Sequence, residues 1–149
     1  MGFSIDIEKF AKKCHKTIPM AIQKIILAAG DSLVDKTPVG DPSYWKHPAP
    51  KGYRGGHAKG NWHYSLGTPQ AVEFDVIDPD GSISKARIRQ ELAGSMEAIT
   101  TAPSYIQNNV PYIRRLEYGH HSPQCPPNGM AGRTMVEIVN LVRQVMAGV

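Results

Sequence analysis

The sequence has few of the features that mark secreted, disulfide-stabilised or membrane proteins. Its two cysteines, Cys14 and Cys125, are too few for a disulfide framework, so a reducing cytosol is the expected compartment. The longest strictly apolar run, residues 25–29, is too short to cross a bilayer, and we expect no contact with membranes. The first residues, MGFSIDIEKFAKK, have no apolar segment followed by a cleavage site, so we expect no secretory signal.

Sequence motifs of catalytic chemistry are also missing. The chain has no glycine-rich loop that ends in Lys-Ser or Lys-Thr, no His-Glu-x-x-His and no Cys-x-x-Cys. One short stretch does hold four residue types that can bind zinc: Glu117, His120, His121 and Cys125. Adjacent histidines point in different directions, and the prolines around Cys125 leave no helix N-terminus to activate the thiol as a nucleophile. We therefore predict no catalytic residue, no metal and no cofactor.

The chain has the size and composition of one globular domain, residues 1–149. With 41% hydrophobic and 20% charged residues, it should bury about 70% of its unfolded surface. The net charge is uneven, because residues 1–65 contain ten Lys/Arg and five Asp/Glu, whereas residues 66–149 contain seven and eight. The basic first segment would suit nucleic acid or an acidic partner surface, and equally a solvated helix face.

Hydrophobic spacing predicts a long helix at each end of the chain. The first runs from about residue 4 to residue 34, with a kink or restart near Thr17 because Pro19 removes a backbone donor. The second covers about residues 130–146 and has one broad apolar side.

Shorter elements lie between these helices. Alternating residues predict a β-hairpin, and a third strand, a helix and a short helix follow from similar patterns. The hairpin comprises residues 61–66 and 71–78, and the third strand covers residues 104–108. The longer helix covers residues 82–98, and the short helix covers residues 109–119. The expected fold is α+β, a small antiparallel sheet packed against long N-terminal and C-terminal helices.

Residues 37–60 form a long projecting loop in this prediction. Nine of its 24 residues are glycine or proline, which excludes regular structure. Cations alternate with aromatic side chains along it, a composition that can bind a nucleic-acid strand or order against a neighbouring subunit. An exposed tryptophan is unfavourable in water, so we expect a partner. The candidate contact residues are Tyr44, Trp45, Lys46, Lys51, Tyr53, Arg54 and Lys59.

The stretch NNVPYIRRLEYGHH, residues 108–121, is interpreted as a corner between strand and helix. We expect Asn109 to cap the helix and Pro111 to stiffen its first turn. Tyr112 and Leu116 should pack inward, and Gly119 should end the helix in a left-handed conformation.

Glu117 is the unusual residue of this corner. It lies in the last helical turn, where the helix dipole disfavours an anion by about 0.3–1 kcal/mol. Its position suggests a fixed partner, either a backbone donor of a loop or an arginine of the next subunit, with simple solvation as the alternative. We therefore add Glu117 to the candidate interface residues.

The order of several motifs resembles one known family. After an amphipathic N-terminal helix come Thr37-Pro38-Val39-Gly40, Gly60-Asn61-Trp62, Asn108-Asn109-Val110-Pro111-Tyr112, Leu116-Glu117-Tyr118-Gly119-His120 and Pro126 through Gly129-Met130. They resemble the tail-completion (neck) proteins of long-tailed double-stranded DNA phages, also described as minor tail or head–tail joining components. The resemblance covers about residues 5–146. The loop is longer and more aromatic here than in the family pattern, and His121 and Cys125 are not part of that pattern.

The resemblance implies a virion structural protein that is made in the host cytoplasm and assembles at the head-proximal end of the tail. It implies no catalytic residues, a hexameric homo-oligomeric ring, contacts with other neck and tail proteins, and DNA passing through the channel. The residues themselves leave two alternatives open. One is a nucleic-acid-binding module acting through the basic residues of the loop, and the other is a metal-dependent enzyme.

Overall fold

The computed structural model describes residues 2–119, 123–125 and 127–148, with side chains from residue 16 onward and at Lys9, Lys12 and Lys13. Within this part of the chain there are four α-helices and two strands. The helices are α1 (Gly2–Lys36), α2 (Ser82–Ala93), α3 (Ile113–Tyr118) and α4 (Met130–Ala147). The strands are β1 (His63–Leu66) and β2 (Ser104–Gln107), and single 3-10 turns occur at Pro42–Tyr44, Lys59–Asn61 and Met96–Ala98.

Helix α1 runs unbroken through Pro19, so the predicted restart near Thr17 is wrong. A proline inside a helix removes one hydrogen bond and costs about 3 kcal/mol. The rest of a 35-residue helix and its packing against the domain offset that cost. Ile26 and Val34 of its second half are buried in the core.

The second half of α1 is also apolar enough to span a membrane by length and composition alone. Lys16–Lys36 contains a window with a mean hydropathy of 1.3, which the short run at residues 25–29 did not suggest. A core helix meets the same requirement, and α1 has the polar contacts of one. Its Ser32 hydroxyl lies 2.9 Å from that of Thr134 on α4.

The two strands pair antiparallel, and β2 confirms the strand predicted at residues 104–108. The register sets His63 opposite Gln107 and Leu66 opposite Ser104. The sheet therefore joins segments about 40 residues apart in the chain, and the predicted local hairpin is wrong.

Residues 71–78, the predicted hairpin partner, form no strand because their backbone donors are used elsewhere. The Val72 and Val76 N–H groups each donate to the carbonyl two residues back, both at 3.0 Å. The Phe74 N–H donates to the side-chain oxygen of Asn61 at 2.6 Å. The alternating pattern of the sequence therefore gives no strand here, because a ladder needs free backbone donors.

Helix α2 is shorter than the helix predicted over residues 82–98. It ends at Ala93, and Gly94 serves as its C-cap. At its start, the carboxylate of buried Asp78 accepts a hydrogen bond from the Ser84 N–H at 2.9 Å.

One apolar core joins the sheet to the helices, which confirms the predicted α+β architecture. Strand β1 packs on α2, and α1 packs on both α2 and α4. The buried core residues are Ile26, Leu33, Val34, Trp62, Tyr64, Ile88, Leu92, Ile99 and Met130.

Candidate partner-binding surface

The two ends of the loop 37–60 meet at one buried hydrogen-bonded pair. The Thr37 hydroxyl donates to the Leu33 carbonyl at 2.7 Å, and the Trp62 indole N–H donates to the same hydroxyl at 2.7 Å. Both side chains are buried, so the bonds lie in a low-dielectric interior where an unpaired polar group is costly. The motifs TPVG and GNW are therefore in contact at the base of the loop.

Replacing Thr37 with valine should lower the free energy of unfolding by about 1–3 kcal/mol, because the Trp62 indole N–H would be buried without an acceptor. Valine has a similar volume, so little of this loss would come from a cavity. Urea unfolding monitored by tryptophan fluorescence measures it. Thr37→Ser keeps the hydroxyl and is the matched control; equal losses in the two variants would contradict the role of the hydrogen bond.

Asn61, beside Trp62, fixes residues 71–78, the segment that follows β1. Its side chain is fully buried, and its Nδ2 donates to the carbonyls of His57 and Phe74 at 2.8 and 3.0 Å. Its Oδ1 also accepts a hydrogen bond from the Phe74 N–H. The side-chain amide therefore makes the kind of hydrogen bonds to this segment that a neighbouring strand would make in a sheet. Gly60 makes room for the contact, since a Cβ there would lie 2.8 Å from Cγ1 of Val76.

Beyond this base, the outgoing and returning segments of the loop come into contact a second time, at Val39–Gly40 and Gly55. A Cβ on Gly55 would lie 2.6 Å from Val39 Cγ1 and 2.7 Å from the Gly40 carbonyl oxygen, so only glycine fits. Gln124 ties the same place, because its Nε2 donates to the Val39 carbonyl at 2.8 Å and its Oε1 accepts from the Asp41 N–H at 3.0 Å. Residues 41–54, here called the loop tip, thus leave and re-enter the domain at one point.

The loop tip is exposed along nearly its whole length, and it carries three of the predicted aromatic residues. Tyr44, Trp45 and Tyr53 are 54%, 39% and 38% exposed. The rings of Trp45 and Tyr53 pack edge to face with centroids 4.7 Å apart. Partial burial raises the pKa of Tyr53, so its hydroxyl remains a neutral donor at physiological pH.

The predicted basic residues divide into two groups. Lys46, Lys51 and Arg54 are exposed on the loop tip. Lys59 is half-buried at the base, where its carbonyl accepts the Ser84 hydroxyl at 2.8 Å. The loop tip therefore combines three cations with three aromatic rings.

An open groove of about 780 Å³ separates the loop tip from α3. Aromatic and cationic side chains line it: Tyr44, Trp45, Lys46, Tyr53, Tyr112 and Arg115. Tyr112 is 41% exposed, so its predicted inward packing is wrong, whereas Leu116 packs against the core as expected. Burial, with smaller contributions from Tyr53 and Glu73, raises the pKa of Tyr112 and keeps this phenol neutral as well.

The corner before α3 differs from its prediction in detail. The helix starts at Ile113, and Asn109 does not cap it. The Asn109 amide lies within hydrogen-bond distance of the backbone of residues 70–72 instead. Pro111 is exposed in the turn before the helix, and Gly119 ends the helix with a right-handed φ of −81°.

Glu117 has a fixed partner inside the chain, the N-terminus of α4. Its carboxylate accepts hydrogen bonds from the N–H groups of Met130, Ala131 and Gly132 at 2.7, 3.0 and 3.1 Å. Of the possibilities raised by the sequence, the structure therefore shows the backbone donors. The residue before α4, Gly129, has a φ of +73° and no side chain that could cap the helix itself.

The stretch considered for zinc contributes no metal site within the described residues. In that part of the chain, no group of three or more His, Cys, Asp or Glu side chains could hold a metal ion. His120 and His121 lie outside it, Cys125 is half-buried, and the Glu117 carboxylate is engaged by α4.

Arg87 is a structural residue that the sequence analysis missed. Its guanidinium donates to the carbonyls of Gly60 and Trp62 at 2.7 and 3.2 Å and stacks over the Phe74 ring at 3.8 Å. Burial lowers its pKa, and the charges of Glu91 and Asp78 oppose that shift. No local signal separates such an arginine from a solvated one, since its partners are distant backbone carbonyls.

A second exposed apolar surface lies on α4. Met135, Val139 and Met146 are 62%, 46% and 60% exposed, so the broad apolar side predicted for this helix is only partly covered by α1. Exposed side chains of this size favour contact with another protein surface.

Comparison with known proteins assigns the chain to no family, because no family model, curated protein or solved structure matches it.

Proposed function

We propose that this protein is a virion structural protein of a tailed phage, a tail-completion or neck component that forms a ring at the head–tail junction. The order of its motifs supports this role through the resemblance described above. The single structural observation that carries the proposal is the loop tip, an exposed aromatic segment on a rigid base. Its partners would be copies of itself and other neck and tail proteins.

The rigid base matters because binding by a flexible loop loses conformational entropy. The Thr37–Trp62 bond, the Gln124 bridge and the glycine contact at Gly55 hold the loop tip before any partner arrives. A surface ordered in advance keeps more of its contact energy as affinity. Tyr, Trp and Arg are the residue types that most often dominate such contacts, and all three occur on the tip.

Ring formation requires two different surfaces that fit each other head to tail. The described part of the chain offers two exposed apolar surfaces, the loop tip with its groove and the α4 side with Met135 and Met146. Their presence on one chain favours the loop tip of one copy contacting α4 of the next. The sixfold number follows from the family resemblance.

The test is assembly of the purified protein, alone and mixed with tail tubes, followed by sedimentation velocity and electron microscopy. Trp45→Ser with Tyr53→Ser should weaken assembly at least tenfold, since two central aromatic contacts would be lost. Ile83→Ser is the matched control, because Ile83 is an equally exposed apolar residue on α2. A folded double variant that assembles as well as wild type, or a wild type that forms no ring under either condition, would contradict the proposal.

A further inference from the structure

One side of α1 carries a dense row of positive charge. Residues three and four apart lie on the same side of a helix, and the exposed lysines of α1 follow that spacing. They form what is here called the lysine face: Lys9, Lys12, Lys13, Lys16 and Lys24. Residues 9–30 contain no aspartate or glutamate at all.

Within the described residues, no acidic side chain neutralises this face. The ion pairs found there use other cations, including Lys85 and Arg89 of α2, which pair with Asp35 and Asp31 at the opposite end of α1. Like charges one helical turn apart destabilise a helix by roughly 0.2–0.5 kcal/mol per pair. Repulsion between neighbouring lysines of this face would be relieved by a partner that supplies negative charge.

The geometry points to a polyanion as the partner, and we infer that the lysine face binds the phosphate backbone of double-stranded nucleic acid without reading its sequence. Its charges extend over about 22 Å of helix, at a rise of 1.5 Å per residue. Duplex DNA carries a phosphate charge for about every 1.7 Å of its axis, so several lysines can engage at once. Lysine acts as a point charge on a flexible stem, which suits phosphates more than base edges.

An anionic membrane is the competing partner, and the packing of α1 disfavours it. A helix that lies on a membrane inserts its apolar side into the lipid. From Ile22 onward the apolar side of α1 packs into the domain, with Ile26 buried in the core and Ile22 packed against it, whereas Ile18 is 41% exposed. The lysine face itself offers a lipid surface only charge and the exposed Met20.

This inference goes beyond the proposed structural role and does not depend on it. It also assigns nucleic-acid binding to a different surface from the loop, whose cations are the other candidates for the same partner. The two surfaces can therefore be tested against each other in one protein.

The experiment measures binding of a fluorescein-labelled 20-base-pair duplex by anisotropy between 50 and 300 mM salt. For four to five phosphate contacts, log K should fall with log salt at a slope of about −4. The variant Lys9→Gln, Lys12→Gln, Lys13→Gln and Lys16→Gln should bind at least tenfold more weakly at 50 mM salt, with a slope near −1. Glutamine keeps a high helix propensity, and circular dichroism and thermal melting check that the fold is retained.

The matched control removes the same charge from the loop through Lys46→Gln, Lys51→Gln, Arg54→Gln and Lys59→Gln, and it should keep affinity within about threefold. Equal losses in both sets would overturn the inference, because net charge alone would then explain binding. Absence of wild-type binding at 50 mM salt would also overturn it. So would selective binding to phosphatidylserine vesicles, which would identify a membrane partner. Ring assembly of the lysine variant should match wild type, so the two proposals can fail separately.

Discussion

Asn61→Asp should lower the free energy of unfolding at pH 7 by about 3–5 kcal/mol. The replacement keeps the shape of the side chain and an acceptor for the Phe74 N–H. It exchanges Nδ2, which donates to the carbonyls of His57 and Phe74, for an oxygen that faces those two acceptors. A negative charge would also enter a fully buried position.

The same variant should show a characteristic pH dependence. Burial beside two carbonyl oxygens raises the pKa of the new carboxyl in the folded state above its unfolded value of about 3.9. A raised folded pKa means that the protonated carboxyl is favoured on folding. The deficit relative to wild type should therefore be smallest below about pH 4 and should grow as pH rises through the folded pKa.

Urea unfolding of both proteins from pH 3.5 to pH 8 measures the deficit. Asn140→Asp, the same change at an exposed position of α4, is the control and should stay within about 0.5 kcal/mol of wild type. A loss below 1 kcal/mol for Asn61→Asp at pH 7 would show that the buried amide is not what fixes residues 71–78.

The elements that depend on periodicity along the chain could be predicted from the sequence, and the contacts of Asn61 show why the hairpin could not. The two terminal helices and β2 follow from periodicity along the chain, and the structure confirms them. The hairpin failed because its second half, residues 71–78, has the right alternation but gives its Phe74 donor to a side chain 13 positions back. Alternation specifies an extended segment, whereas its partner is set by tertiary contacts.

The candidate surface was predictable to a similar degree. Composition alone identified the aromatic and basic residues of the loop tip, and Trp45 and Tyr53 are indeed exposed. The base that holds them was not predictable, because the Thr37–Trp62 bond joins residues 25 positions apart and the Gln124 bridge residues 85 apart. Contacts of this kind form only when folding brings distant residues together, so no local sequence pattern indicates them.

Glu117 lies between these cases, because its conflict with the helix dipole of α3 signalled a partner that the sequence could not identify. Glu117→Ala should lower the free energy of unfolding by about 2–4 kcal/mol. Three N–H groups in the first turn of α4 would lose their acceptor, and the favourable charge at a helix N-terminus would be lost with them. Gly129 has no side chain to replace it.

Chemical denaturation with far-UV circular dichroism measures this effect and the helicity of α4. Glu117→Gln keeps one acceptor and should lose about 1–2 kcal/mol. Glu137→Ala removes an exposed carboxylate that contacts Lys36 and Ser32, and it should lose clearly less stability than Glu117→Ala. Similar losses for Glu117→Ala and Glu137→Ala would contradict the capping role. Under the proposed ring contact, in which α4 receives the loop tip of the next copy, loss of the Glu117 cap at the start of α4 should also weaken assembly.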